Sequence, residues 1–275
     1  LVERGIRVRV YDQADSIRED GAGLAFTKNA IQCMILVSSL AAEALRSVQT
    51  LNGDPDHPND HLQWVDGFNQ QGSSDPSFKP MLFRLFVGAN GFEGCHRAHL
   101  LEALWKRLPN DVVVFGRKLQ ILQDDSDNEK LHMYFLNELV EEADAKGIVI
   151  GRDGIKSRTR QILLGPDSPA SHPQCTHKLS YRALVLMDKA IAALGASKAS
   201  NQCMHIGPQR HLLHFPVANQ TLLNVVAFNT DRNPWTREDG RLTATATREE
   251  VIDAFKDWNG PVRNITQMFP ETSEK

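Results

Sequence analysis

An aspartate set between glycines at the end of an apolar run is the residue of this chain best placed to do chemistry. Ile148, Val149 and Ile150 lead into Gly151, Arg152, Asp153 and Gly154, and a basic stretch from Lys156 to Arg160 follows. The spacing predicts a short buried strand over 148–150, a tight turn that the two glycines permit, and a carboxylate presented at the strand's C-terminal end. In open α/β sheets that end of a strand is where cofactors bind. A second carboxylate, Asp12, closes an alternating run at Ile6, Val8 and Val10. In a dinucleotide fold an acidic residue there accepts a hydrogen bond from a ribose hydroxyl, about 20 residues after a glycine-rich loop. That loop would stand ahead of residue 1, and the plainer alternative for Asp12 is a turn former. Arg97 opens a segment with Leu100, Leu101, Leu104 and Leu108 at helical spacing. A helix N-terminus attracts anions and an arginine adds a two-pronged donor for phosphate, although a solvated arginine at a helix start is the commoner case.

The elements that must position these groups follow from pattern. Leu1–Arg4 reads as a helix end capped by Gly5, and 6–12 as a strand that ends at Tyr11 and Asp12. Gly21, Ala22 and Gly23 form a turn ahead of a helix, and 52–80 is rich in Asp, Pro, Asn, Gly and Ser, as loops are. Strands are expected at 81–88 and 112–115, and a hairpin pairs 118–123 with 132–135. Past Gly165 the texture changes to short strands at 178–187, 202–206, 211–215 and 222–229, which suit a separate antiparallel sheet. Thr247 and Glu250 form a capping box for a surface helix carrying Val251, Ile252, Phe255 and Trp258.

In this order, Tyr11 to Ala14, Gly21 to Ala30, Gly94 to Leu104, Gly151 to Arg160, Tyr181 with Arg182, and Gly207 to Pro216 resemble the flavin-dependent aromatic hydroxylases, in the fungal salicylate-hydroxylase-like branch of the FAD monooxygenases. The resemblance implies an α/β chain with a Rossmann-like, three-layer FAD-binding domain over 1–75 and 95–165. It also implies an antiparallel-sheet substrate domain over 76–94 and 166–275. Asp12, Gly23, Ala25, Arg97 and Asp153 match cofactor-contacting positions, with Gly23 and Ala25 lying close to the flavin. Arg182 matches an arginine that pairs with a phenolate or carboxylate of the substrate. His214 stands beside Phe215, where relatives often carry a substrate-facing tyrosine, and is a candidate to replace that hydroxyl. The implied reaction is reduction of FAD by NADH or NADPH, capture of O2 as a flavin C4a-hydroperoxide, and oxygen transfer to a phenolic or aromatic acid. The family's opening strand and GxGxxG loop and its closing Gly-Asp motif are not in this sequence, so the expectation is a chain truncated at both ends with impaired FAD binding. Arg152 departs from the family's usual small residue.

At 275 residues, 41% hydrophobic and 24% charged, the composition excludes little beyond disorder. A formal net charge of −3 with dispersed basic residues speaks against nucleic acid as a partner. Cys33, Cys95, Cys175 and Cys203 form no CxxC pair, so neither a metal site nor a disulfide framework is expected, and reduced thiols suit a cytoplasmic setting. No apolar run approaches the roughly 18 residues of a membrane span. Two readings compete with the enzyme: a catalytically silent or partner-binding relative, and a nicotinamide-dependent dehydrogenase, which does not account for the arginine-led helix or the Gly-Arg-Asp-Gly turn.

Overall fold

The computed structural model describes residues 1–17, 22–53, 61–69, 81–88, 91–128, 130–136, 140–144, 148–233 and 242–275. Gly21, most of the expected 52–80 loop, and Lys146 with Gly147 lie outside them. By contact the chain forms two compact units, Leu1–Arg18 with Leu108–Thr176, and Glu19–Arg107 with His177–Lys275.

Along the chain the elements are β1 (Val10–Tyr11), β2 (Gly23–Thr27), α1 (Lys28–Val37), α2 (Ser39–Arg46), β3 (Gln49–Thr50), β4 (His61–Asp66), β5 (Met81–Phe86), β6 (Phe92–His96) and α3 (Arg97–Trp105). Next come β7 (Val113–Val114), β8 (Leu119–Asp125), β9 (Lys130–Phe135), β10 (Val140–Asp144) and α4 (Arg158–Leu164). The last stretch holds β11 (Lys178–Leu186), α5 (Met187–Leu194), α6 (Ala196–Ala199), β12 (Cys203–Gly207), β13 (Arg210–Val217) and β14 (Leu222–Thr230). It closes with β15 (Thr245–Thr247), α7 (Arg248–Ala254), α8 (Gly260–Gln267) and β16 (Thr272–Glu274).

In the first unit β1 pairs in parallel with β7, and β8, β9 and β10 form an antiparallel sheet. The predicted hairpin is present, with Gln123 opposite His132, and Tyr11 packs on Phe135 at 5.0 Å between ring centroids. Gly5 caps a short 3-10 turn with φ of 71°, a left-handed conformation that glycine adopts without penalty. The strand expected at 148–150 is not formed: Ile148 is 87% exposed and Ile150 66% exposed. Three apolar residues make a strand only when a neighbour completes their hydrogen-bond ladder, and none of the described strands pairs with them.

The second unit is built on an eight-stranded sheet in the order β15, β16, β11, β14, β13, β12, β4, β5, beside a small sheet in which β6 lies between β2 and β3. Side chains alternate between the faces of a strand, and directly paired residues share a face. Tyr181, Ala183 and Val185 of β11 pair with Ala227, Val225 and Leu223 of β14, and all six are buried against the helical layer of α5, α7 and α8. The other face carries Arg182 opposite Val226, Leu184 opposite Asn224, and, on β13, Leu213 and Phe215. Thr247 accepts a hydrogen bond from the Glu250 N–H as a helix cap should. The helix it starts is not superficial, however, because Val251 and Phe255 are fully buried and Trp258 is 1% exposed. Its apolar stripe is the lid of the core. No described helix is long and apolar enough to cross a membrane.

Candidate functional site

In the first unit the Gly-Arg-Asp-Gly turn is held by its own carboxylate. Asp153 accepts from the Ser157 hydroxyl at 2.5 Å, the Thr159 N–H at 2.9 Å and the Thr159 hydroxyl at 3.1 Å. Ser157 in turn caps α4 by accepting from the Arg160 N–H at 2.9 Å. Gly151 is glycine for a steric reason, since a Cβ there would lie 2.6 Å from the Thr159 side chain. Gly154 is glycine for a conformational one, with φ of 78°. Partial burial pushes the Asp153 carboxyl up, but the bonds from Ser157 and Thr159 outweigh it and hold the group at about 2, below its ordinary 3.8.

This sets a pH dependence. A carboxyl whose folded value is depressed adds stability that is full above its unfolded value near 3.8 and disappears as pH falls through about 2. Asp153 is exposed, so screening leaves about 1 kcal/mol. Denaturant unfolding of the parent chain and of Asp153→Asn should therefore differ by that amount at pH 6, approach each other as pH falls from about 4, and converge only at about pH 2. A difference that stays constant across that range would show that the turn is held by something other than the carboxylate's charge.

Asp12 follows β1 directly, and its backbone is pinned on both sides, to Val114 O at 3.0 Å and from the Arg117 N–H at 2.8 Å. Its carboxylate accepts from the Ala14 N–H at 2.8 Å, so the turn-forming reading of this residue is realised in the structure.

The second unit holds Gly23, Ala25, Arg97, Arg182 and His214. Gly23 pairs with His96 and Ala25 with Gly94 across β2 and β6. Two close approaches seat this small sheet on the open face of the large one. A Cβ on Gly23 would lie 2.5 Å from the Asn224 side chain, whose Oδ1 accepts from the Gly23 N–H at 2.8 Å. A Cβ on Gly94 would lie 2.8 Å from Pro216 O and 3.1 Å from the Phe215 ring. The need for glycine at position 23 is thus met inside the protein. Ala25 remains exposed. Arg97 starts α3, its N–H donating to Ala22 O at 2.9 Å, and its half-buried guanidinium has no hydrogen-bonding or ionic partner among the described residues. An arginine without an internal partner at the positive end of a helix is a donor set suited to a phosphate group, so these residues fit a phosphate-bearing cofactor.

Arg182 and His214 are not brought together. Arg182 shares a face with Val226 and Leu213, whereas His214 pairs with Val225 and points to the helical side, 1% exposed. The substrate-facing role expected of His214 is corrected by this register, because one residue of offset along a strand reverses the face. Phe215, its neighbour, is on Arg182's face and meets Phe92 edge-on at 5.6 Å. Two polar residues on that face were not singled out from sequence. Asn224 is 3% exposed, and its Nδ2 has no hydrogen-bond partner among the described residues. His211 stacks on Phe228 at 4.3 Å, and burial followed by the charge of Lys178 lowers its pKa. The signal that could have found both is the parity of β13 and β14 relative to Arg182.

Comparisons with known proteins bear on the chain as a whole. No family model matches the chain. Over its full length it is 42% identical to salicylate hydroxylase asL1 of Sarocladium schorii, covering 56% of that protein. It is equally 42% identical to the FAD-dependent monooxygenases eupB of a Phoma species and pigN of Monascus ruber, covering 60% and 61% of them. The chain thus spans less than two thirds of the length of these curated relatives. Among solved structures, a salicylate hydroxylase in its substrate complex superposes with a TM-score of 0.72 at 23% identity, over 92% of this chain and 59% of that one. Klebsiella pneumoniae HpxO complexed with FAD and uric acid gives 0.71 at 17% identity, over 100% and 62%. The fold is therefore that of the FAD-dependent aromatic hydroxylases, and over its whole length the chain is similar to salicylate-hydroxylase-like FAD-dependent monooxygenases.

Proposed function

We propose that this chain serves hydroxylation of a phenolic or aromatic acid by O2, with FAD as cofactor and NADH or NADPH as reductant. The observation that carries the reading is the placement of Arg182, exposed in the middle of β11, on a sheet face that carries Leu184, Val226, Leu213 and Phe215 along with polar Asn224 and His211, and with Glu274 of β16 opposite it in register. A guanidinium beside apolar side chains is suited to an aromatic ring bearing a carboxylate or phenolate, because it offers a charge-assisted pair while the ring buries apolar surface. His211 on the same face offers a second polar contact.

Bound FAD, reduced by the nicotinamide, would supply the activated oxygen that enters the ring. The protein's own part is to hold, orient and exclude. Arg97 and the helix end behind it would neutralise phosphate, and small Ala25 would let the cofactor approach β2 closely. Asp12 and Asp153 remain the cofactor residues proposed in the other unit, each presented by a turn that its own carboxylate stabilises. Arg182 would hold the phenolate form of the substrate, which makes the ring electron-rich, and the apolar side chains beside it would keep water away.

The test is salicylate binding by the chain, followed by NMR, with Arg182→Ala and Arg182→Lys. Losing a charge-assisted bond should weaken binding about 10- to 100-fold in Arg182→Ala, with Arg182→Lys in between. Equal affinity in parent and Arg182→Ala would remove the assignment. Salicylate binding without flavin uptake or product in the presence of FAD, NADH and O2 would favour the catalytically silent relative.

A further inference from the structure

Three metal-ligating side chains that the activity does not use meet on the helical side of the large sheet. Cys203 of β12 is directly opposite His214 of β13, and His205 lies two residues on from Cys203, which places all three on one face. Their ligand atoms, Sγ and the imidazole nitrogens, all lie within 4.8 Å of one another, and the two imidazole centroids are 5.2 Å apart at 35°. The three residues are 3%, 4% and 1% exposed. Val65, Leu212 and Val225 border them on neighbouring strands, each 2% exposed or less.

We propose that Cys203, His205 and His214 form a buried binding site for a thiophilic d10 metal ion, monovalent copper. The donor set is one thiolate and two imidazoles, which suits soft and borderline ions and excludes magnesium and calcium, whose ligands are oxygen. Ligand atoms around one such ion stand roughly 3.5 Å apart, given metal bonds of about 2.0–2.3 Å. Side-chain rotation on the fixed β12 and β13 backbones supplies the closure.

Charge and coordination number select copper over zinc. Among the described residues no fourth Cys, His, Asp or Glu joins the cluster. Zinc in proteins is almost always four-coordinate, whereas Cu(I) is satisfied by three donors. The Cys203 thiol loses one proton on binding, so Cu(I) leaves a neutral site and Zn(II) leaves a net positive one in an apolar interior, which is costly.

The experiment uses the chain with the exposed thiols removed by Cys33→Ser and Cys175→Ser. Buried Cys95 competes little, since burial and then Glu93 push its thiol up to about 12. The reduced protein is titrated under nitrogen with Cu(I) held as its bicinchoninate complex, and the fall in the chelate's colour reports transfer. The proposal expects transfer of one equivalent with release of one proton. It also expects about 100-fold or greater weakening in each of Cys203→Ser, His205→Asn and His214→Asn, and no displacement of the copper by a tenfold excess of Zn(II). No transfer, undiminished transfer in Cys203→Ser, or displacement by zinc would overturn it. Should a variant fail to fold by circular dichroism, X-ray absorption of the copper-loaded parent decides: one sulfur and two nitrogens support the site, and a shell lacking either element refutes it.

Discussion

Trp258→Ala is expected to cost about 4 kcal/mol of stability, the upper range for truncating a buried aromatic. Trp258 is 1% exposed and follows α7 into the core of the second unit. It meets Phe255 edge-on at 5.0 Å and Phe68 at 6.2 Å. Two glycines exist to admit it: a Cβ on Gly67 would lie 2.7 Å from its ring, and one on Gly207 would lie 2.8 Å away. The Asn259 N–H, next along the chain, donates to Gly67 O at 3.0 Å and its side-chain Nδ2 to Asp66 O at 2.9 Å, so the backbone on both sides is fixed and the hole left by the indole cannot collapse fully. Urea unfolding of the two proteins measures the difference. A loss below about 1.5 kcal/mol would mean that the site closes up, the outcome typical of volume-conserving changes rather than of truncation.

Gly23→Ala is the second change with a large expected effect, for the opposite reason. The new methyl would sit 2.5 Å from Asn224 Cγ and 2.7 Å from its Cβ, and Asn224 is 3% exposed on a central strand with no room to retreat. Overpacking of this kind costs about 1–3 kcal/mol, with the Gly23 N–H to Asn224 bond, worth about 1 kcal/mol, lost as well. Asn224→Gly made in the same chain removes the clash, Cβ included. The double variant should then be more stable than the sum of the single losses predicts, with a coupling of about 1–2 kcal/mol, since contacting residues do not behave additively. Strict additivity in the unfolding free energies would show that β2 does not rest on Asn224.

The Gly23 result bears on how a motif is read. Gly21 to Gly23 looks like a cofactor turn, and glycine there is compatible with flavin approach. Yet the structure supplies its own occupant for the space beside Gly23. Gly151 is similar, held bare by Thr159 while Asp153 binds the same threonine. In both places the small residue and its partner are 8 or 201 positions apart along the chain, counting Gly151 to Thr159 and Gly23 to Asn224. No local pattern pairs them. The close approach is visible only when two elements are packed.

What sequence alone determined was element type wherever hydrophobic period was long and turn chemistry unambiguous. The strands at 178–187, 202–206, 211–215 and 222–229, the arginine-led helix, the 118–135 hairpin and the Thr247 cap all follow from local preferences that no partner is needed to express. The order of motifs within this one chain also sufficed to indicate the FAD-dependent monooxygenases to which it is similar over its whole length. Tertiary structure decided what depends on pairing. Register put Arg182 and His214 on opposite faces, buried the helix that starts at Thr247, left Ile148 and Ile150 without a ladder, and gathered Cys203, His205 and His214 into a cluster that the absence of a CxxC spacing had argued against. The physical reason is the twofold period of a strand. One residue of offset exchanges core for open face, and that offset is fixed by partners remote in sequence.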